Sequence, residues 1–127
     1  MNIALLLAGG SGVRTEQDVP KQFLNVYEKP IILYTLEAFQ KHPDINGIIV
    51  SCLDGWHEIL RVYAQDAGIT KLQRIVSGGE NGQASARKAR QELRDVCKED
   101  DIVIIHDAIR PMVSADIISD CIVKCRQ

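Results

Sequence analysis

The sequence lacks the features by which membrane and nucleic-acid proteins are usually known. No apolar run in its 127 residues approaches the roughly 20 residues that span a bilayer, and the apolar start lacks the basic flank and the length of a signal peptide. The 15 lysines and arginines form no long run, and the formal net charge is −2. We therefore expect a cytoplasmic chain that binds neither membrane nor nucleic acid.

Cysteine is present but not in a pattern that builds a scaffold. The four residues are Cys52, Cys97, Cys121 and Cys125. Cys121 and Cys125 fall on one face of a predicted helix, but no further ligand lies nearby in the sequence to complete a zinc site. We expect reduced, buried thiols that pack as small apolar groups.

Two well-known phosphate-binding motifs are also missing. The dinucleotide motif G-x-G-x-x-G, started at Gly10, would need a third glycine at Thr15. The P-loop motif fails because the chain contains no Gly-Lys-Ser or Gly-Lys-Thr. Neither a dinucleotide site nor a P-loop ATPase is therefore expected.

A glycine-rich loop is nevertheless present near the amino terminus. An apolar run, Ile3–Leu7, leads into Gly9-Gly10-Ser11-Gly12, and two cations, Arg14 and Lys21, follow. Glycines let backbone N–H groups approach an anion closely, and the cations can neutralise phosphate charge. Taken alone, the loop fits a nucleoside triphosphate site or a simple turn between a strand and a helix equally well.

Apolar runs alternate with helical patterns, which predicts βαβ units and a parallel sheet in one domain. Three of the four strands are near-continuous apolar runs, as expected for strands covered on both faces. The predicted strands are Ile3–Leu7, Gly47–Cys52, Leu72–Val76 and Ile102–His106. The predicted helices follow Pro30, span Trp56–Ala67 and Ala86–Cys97, and begin after Pro111 with Ser114 as N-cap.

Four sequence blocks occur in an order that resembles one enzyme family. LAGGSGVR, PKQF, GGENGQAS and IHDAIRP are similar to blocks of the polyol-phosphate cytidylyltransferases, whose branches use ribitol 5-phosphate or 2-C-methyl-D-erythritol 4-phosphate. The resemblance implies a three-layer Rossmann-like α/β fold with a mostly parallel sheet, of the nucleotide-diphospho-sugar transferase type. Residues 1–127 would form a single CTP-binding domain, a truncated counterpart of a longer fold that is a homodimer in its full-length form.

The resemblance also implies roles for individual residues. Arg14 and Lys21 would stabilise the transition state in the transfer of a cytidylyl group from CTP to a polyol phosphate, with release of pyrophosphate. Arg110 would hold the acceptor phosphate or its own loop. The implied nucleotide-binding residues are Ala8, Gly9, Gly10, Ser11, Gly12, Gly78, Gly79, Ser85 and Asp107.

Some of these roles have ordinary alternatives. Asp107 follows a predicted strand, where it can meet ribose hydroxyls or Mg²⁺, the implied cofactor, but can equally cap a turn. Ser85 can contact the nucleotide or cap a helix. His106 fits a half-buried structural histidine at least as well as a catalytic one. His42 and His57 are expected to be ordinary surface or rim residues.

One departure keeps other functions open. Gly82 stands where the family has an arginine, so a contact that holds this segment over the nucleotide is in doubt. A guanylyl- or uridylyltransferase of the same superfamily, or a truncated, non-catalytic nucleotide-binding module, are the alternatives. The form of the glycine loop slightly favours ribitol 5-phosphate as the acceptor.

Overall fold

The computed structural model describes residues 1–8, 23–77, 91, 101–108, 117–119 and 122. These residues form six strands and two complete helices. In chain order the elements are β1 Asn2–Ala8, β2 Asn25–Val26, β3 Lys29–Pro30, α1 Ile31–Lys41, β4 Gly47–Cys52, α2 His57–Asp66, β5 Leu72–Ser77 and β6 Ile102–Asp107.

Four of the strands form a parallel sheet in the order β5-β4-β1-β6. The predicted parallel α/β architecture is therefore confirmed, and each predicted strand end lies within one residue of the observed one. The predicted strand Gly47–Cys52 matches β4 at both ends. Apolar runs specified β1 and β4 well because both strands are buried on both faces, where nearly every position is apolar.

The sheet carries an apolar cluster on each face. Alternate residues of β1 and β4 point to opposite sides, since successive side chains of a strand do so. On one face Leu6 and Val50 pack with Leu36 of α1 and Leu60 of α2. On the other face the cluster consists of Ile3, Leu5, Ile49 and Val76, with Leu7 and Val103 packed against it.

Strand β6 differs from the sequence prediction. Its apolar run predicted burial on both faces, but four of its residues are only half-buried, and Ile105 (40% exposed) and Asp107 are exposed. Within the described part of the sheet, β6 is an outer strand. The prediction was wrong because an apolar run shows that a strand can be buried and does not show its place in the sheet.

The two described helices agree with their sequence signals. Helix α1 begins directly after Pro30, and α2 is followed by Gly68, whose φ of +73° is left-handed as in a helix C-cap. The predicted helix Ala86–Cys97 lies outside the described residues except for residue 91. Of the last predicted helix, residues 117–119 and 122 are described. Ile118 and Ile122 are buried in the cluster that also contains residues of α1 and α2, whereas Ile117 is 52% exposed.

His42 is not the surface residue that the sequence suggested. It is 3% exposed and lies just after α1. The backbone N–H of Asp44 donates to its Nδ1 at 3.1 Å, so Nε2 is the donor to Ser119 Oγ at 2.9 Å. Lys71 Nζ donates to the His42 carbonyl oxygen at 2.6 Å. His42 therefore joins the end of α1 to the start of β5 and to residue 119.

A short hairpin, β2–β3, was not predicted. Its two central residues, Tyr27 and Glu28, have φ values of 53° and 66°, the pattern of a type I′ turn. Such turns normally use asparagine or glycine, so this sequence carried no hairpin signal. Lys29 anchors the hairpin to α1 by a 2.8 Å hydrogen bond to Glu37, which raises the pKa of the Lys29 ammonium group.

In the described part of the chain, no helix has both the length and the apolar character needed to span a membrane.

The left-handed residues of the β2–β3 turn lead to a prediction about the free energy of unfolding. Glu28→Gly should raise the free energy of unfolding by about 0.5–1 kcal/mol, because glycine adopts the left-handed conformation without strain. Part of this gain is offset because glycine increases the conformational entropy of the unfolded chain. The same substitution at Glu58, in the first turn of α2, should lower it by about 1 kcal/mol. Urea unfolding followed by circular dichroism measures both. A loss of stability in Glu28→Gly would contradict the prediction.

Candidate functional site

The carboxyl ends of the four parallel strands define one edge of the sheet, here called the carboxyl edge. Across it lie Ser77, Cys52, Ala8 and Asp107, the last residues of β5, β4, β1 and β6. The chain passes from β1 to β4 to β5 on one side, whereas β6 lies on the other side of β1. The order therefore reverses between β1 and β6, and open α/β sheets bind ligands in the crevice at such a switch point.

Two predicted site residues meet at this crevice. Asp107 pairs in register with Leu7, the residue before Ala8. The backbone N–H of Ala108 donates to the Leu7 carbonyl oxygen at 3.1 Å, which extends the ladder past the end of β6. Ala8 is 3% exposed, whereas Asp107 is exposed. The carboxylate is thus accessible beside the residue from which the glycine loop begins.

The other predicted site residues lie outside the described part of the chain. They are Gly9, Gly10, Ser11, Gly12, Arg14, Lys21, Gly78, Gly79, Ser85 and Arg110. In the sequence Gly9 directly follows Ala8, and Gly78 directly follows Ser77. Both glycine segments therefore continue from strands that end at the carboxyl edge.

The last residue of the PKQF block, Phe23, lies at the same edge of the sheet. Phe23, two residues after Lys21, is 5% exposed and stacks on Trp56, with ring centroids 4.7 Å apart and an interplanar angle of 24°. Trp56 lies between the end of β4 and the start of α2. Such a stacked pair adds about 0.5–1.5 kcal/mol to the burial of the rings. It fixes the end of this block against the carboxyl edge.

Helix α1 contacts both neighbours of Asp107. Thr35 Oγ1 donates to the Ala108 carbonyl oxygen at 2.8 Å, and the Phe39 ring lies 5.5 Å from the His106 ring, centroid to centroid. His106 is half-buried, as a structural histidine would be, and its contact with the aromatic core residue Phe39 was not predicted. Sequence reasoning placed Thr35 and Phe39 in a helix but gave neither a role at the site. The sequence feature that could have pointed to Thr35 is its position as a polar residue within the apolar face of α1.

Strand β4 ends at Cys52, whose thiol is buried and whose carbonyl oxygen is hydrogen-bonded to a histidine. His57 Nε2 donates to the Cys52 carbonyl oxygen at 3.0 Å and lies 3.8 Å from an oxygen of Asp54. Burial raises the pKa of the Cys52 thiol from 9.0 to about 12. The sequence expectation of a buried cysteine is confirmed for Cys52, and the other three cysteines lie outside the described residues. A thiol that stays protonated is a poor nucleophile.

Comparison with known proteins identifies the family. The family model described as 2-C-methyl-D-erythritol 4-phosphate cytidylyltransferase (IspD) matches residues 2–127. The chain belongs to the IspD family. The family and the relatives named below are cytidylyltransferases, a class of nucleotidyltransferase.

Curated relatives of the IspD family carry two different names. The chain is 49% identical over 127 residues to a ribitol-5-phosphate cytidylyltransferase of Lacticaseibacillus paracasei, covering 100% of this chain and 54% of the relative. It is 36% identical over 119 residues to a 2-C-methyl-D-erythritol 4-phosphate cytidylyltransferase of Clostridium botulinum, covering 94% of this chain and 51% of the relative. The chain spans about half the length of the curated relatives it matches.

The fold of the IspD family agrees with the described sheet. A crystal structure of the 4-diphosphocytidyl-2C-methyl-D-erythritol synthase of Anaerococcus prevotii superposes with a TM-score of 0.78 at 20% identity. The match covers 99% of this chain and 51% of that one. At this identity the likeness shows the fold, a Rossmann-like α/β structure with a parallel sheet.

The burial of Cys52 predicts slow chemistry at its thiol. In the folded chain at pH 8, iodoacetamide should modify Cys52 far more slowly than in urea, because the thiolate is the reactive form. Peptide mapping by mass spectrometry separates Cys52 from the other three cysteines. Because its folded pKa is raised, the stability that Cys52 contributes should be intact below pH 9 and fall between 9.0 and about 12. Rapid modification of folded Cys52 would contradict this.

Proposed function

We propose that this protein takes part in cytidylyl transfer from CTP to a polyol phosphate, giving a CDP-polyol and pyrophosphate. The observation that carries the proposal is the placement of Ala8 and Asp107 side by side at the switch point of a parallel sheet. Membership of the IspD family supports the same reaction class. Since the chain spans about half the length of its curated relatives, the activity of the whole protein is itself part of the proposal.

The reaction joins two anions, and this determines what the site must supply. A phosphate oxygen of the acceptor attacks the α-phosphorus of CTP, and the bond from that phosphorus to the bridging oxygen breaks to release pyrophosphate. The attacking oxygen is already anionic, so no strong general base is needed. Catalysis then rests on positioning and on cations that offset the repulsion and the charge on the leaving group.

The proposed roles follow the order of the segments along the chain. Arg14 and Lys21 stabilise the α-phosphoryl group and the leaving oxygen as charge develops. Arg110 contacts the acceptor phosphate. The residues proposed to bind the triphosphate, base and ribose are Ala8, Gly9, Gly10, Ser11, Gly12, Gly78, Gly79, Ser85 and Asp107.

Magnesium is the proposed cofactor, and Asp107 is the residue that could hold it. Among the described residues no three His, Cys, Asp or Glu side chains converge into a metal centre. One exposed carboxylate is nevertheless compatible with Mg²⁺, which is commonly bound through one or two carboxylates together with substrate phosphates. When bound, the ion would neutralise phosphate charge.

Ribitol 5-phosphate is the proposed acceptor. The supporting observation is the 49% identity to a ribitol-5-phosphate cytidylyltransferase, against 36% to a relative named for 2-C-methyl-D-erythritol 4-phosphate. The product would then serve a cell-wall or capsule polymer and not isoprenoid synthesis. We further propose a cytoplasmic location and a homodimer for the full-length form.

Nucleotide binding is the first test of this proposal. Trp56 is the single tryptophan and lies at the carboxyl edge, so its fluorescence should change on titration with CTP and Mg²⁺. Calorimetry should show that CTP binds at least tenfold more tightly than GTP, UTP or ATP.

Arg14→Ala and Lys21→Ala should weaken binding or abolish turnover, because each removes a phosphate-neutralising charge. Lys41→Ala is the matched control, because it removes a lysine at the carboxyl-terminal end of α1, away from the proposed site. Absence of binding by any nucleotide would overturn the proposal for this chain.

The acceptor has its own test. Pyrophosphate release from CTP should require ribitol 5-phosphate, with 2-C-methyl-D-erythritol 4-phosphate giving a kcat/KM at least tenfold lower. The reverse preference would move the protein to the other branch. An equal response to both acceptors would also contradict the assignment.

A further inference from the structure

Helix α1 carries a polar side chain inside its apolar face. Thr35 is 0% exposed, and its helix neighbours Ile32, Leu36 and Phe39 are equally buried. Threonine in a helix often bonds its hydroxyl to a carbonyl of its own preceding turn. Here Oγ1 donates instead to the carbonyl oxygen of Ala108, 73 residues away, at 2.8 Å.

The acceptor of this hydrogen bond is the residue after Asp107. Ala108 is 0% exposed, and its N–H is bonded to the Leu7 carbonyl oxygen at 3.1 Å. The backbone of Ala108 is thus held by β1 on its N–H side and by α1 on its carbonyl side. On the other side of Asp107, the His106 ring packs on Phe39, one turn after Thr35. Asp107 is the exposed residue between two fixed neighbours.

We propose that Thr35 is a positioning residue for Asp107. Its hydroxyl fixes the Ala108 peptide, and this sets the direction in which the Asp107 carboxylate leaves the end of β6. The consequence for function rests on the proposed nucleotide binding at the switch-point crevice. Thr35 is buried beneath the strand ends and acts on the nucleotide only through the backbone that carries Asp107.

The hydroxyl, and not the volume of the side chain, is what this role requires. Valine has nearly the same shape as threonine but cannot donate, so it would leave the buried Ala108 carbonyl without its partner in α1. Serine keeps the donor and loses only a methyl group. The two substitutions therefore separate positioning from packing.

The same helix is tied to the PKQF block at its other end. The backbone N–H of Ile31 donates to the Leu24 carbonyl oxygen at 2.9 Å, and the adjacent Phe23 stacks on Trp56. Helix α1 therefore joins the chain that follows Lys21 to the chain around Asp107. A shift of the helix against Ala108 changes the geometry between these two parts of the site.

The test is a double-mutant cycle read as CTP affinity in the presence of Mg²⁺. Thr35→Val should weaken binding about tenfold, comparable with the loss of an outer support in other sites, and Thr35→Ser should restore it to within about twofold of wild type. In an Asp107→Asn background, Thr35→Val should cause no further loss, since it acts through that carboxylate. Unchanged affinity in Thr35→Val, or equal losses in both backgrounds, would overturn the inference.

A separate control tests whether a loss of binding comes only from a loss of stability. Ile32→Val, on the same buried face of α1, is a matched change that loses stability without removing a donor, and it should bind CTP like wild type. Titrations are made at a temperature where circular dichroism shows every variant folded, and Thr35→Ala replaces Thr35→Val under the same criteria if the latter does not fold. If wild type binds no nucleotide, the proposed function fails and the inference with it. If wild type binds and the Thr35 variants match it, the inference alone fails.

Discussion

Strand β1 is the element on which the rest of the structure depends. It is hydrogen-bonded along one side to β4 and along the other to β6, and Ile3, Ala4, Leu5 and Leu6 are 0% exposed. Complete burial of a leucine or isoleucine stabilises a fold by about 1.5–3 kcal/mol. Because its partners are fixed on both sides, the end of β1 is held rigidly, and the glycine loop begins from that end.

Three contacts that are not ion pairs support the candidate site from the side of the apolar core. Phe23 stacks on Trp56, Phe39 packs on His106, and Thr35 bonds the backbone after Asp107. The Phe23–Trp56 stack and the Thr35 hydrogen bond place no charge near the crevice, so the phosphates of the proposed nucleotide would meet the charges of the site itself. Charged anchors such as the pair of Lys29 with Glu37 lie instead on the hairpin and the outer face of α1.

The sequence predicted the four strands of the parallel sheet and the described helices closely because each carries a local signal. The apolar runs of β1 and β4, the glycine after α2 and the proline before α1 each act within a few residues of the structure they specify. The hairpin at Tyr27 and Glu28 was missed because its left-handed residues are not the usual turn formers. His42 was misplaced because nothing local shows that a histidine is covered by residues distant in the chain.

By itself the sequence determined the four strands of the parallel sheet and the two described helices, and it predicted site residues that include Asp107 after a strand and the glycines after Ala8. The tertiary structure alone decided that β6 lies beside β1, which brings Asp107 and Ala8 to one crevice. It also decided that Thr35 reaches Ala108, a contact between residues 73 positions apart. Strand order and such long-range contacts depend on how separate segments pack together, and no short stretch of sequence carries that information.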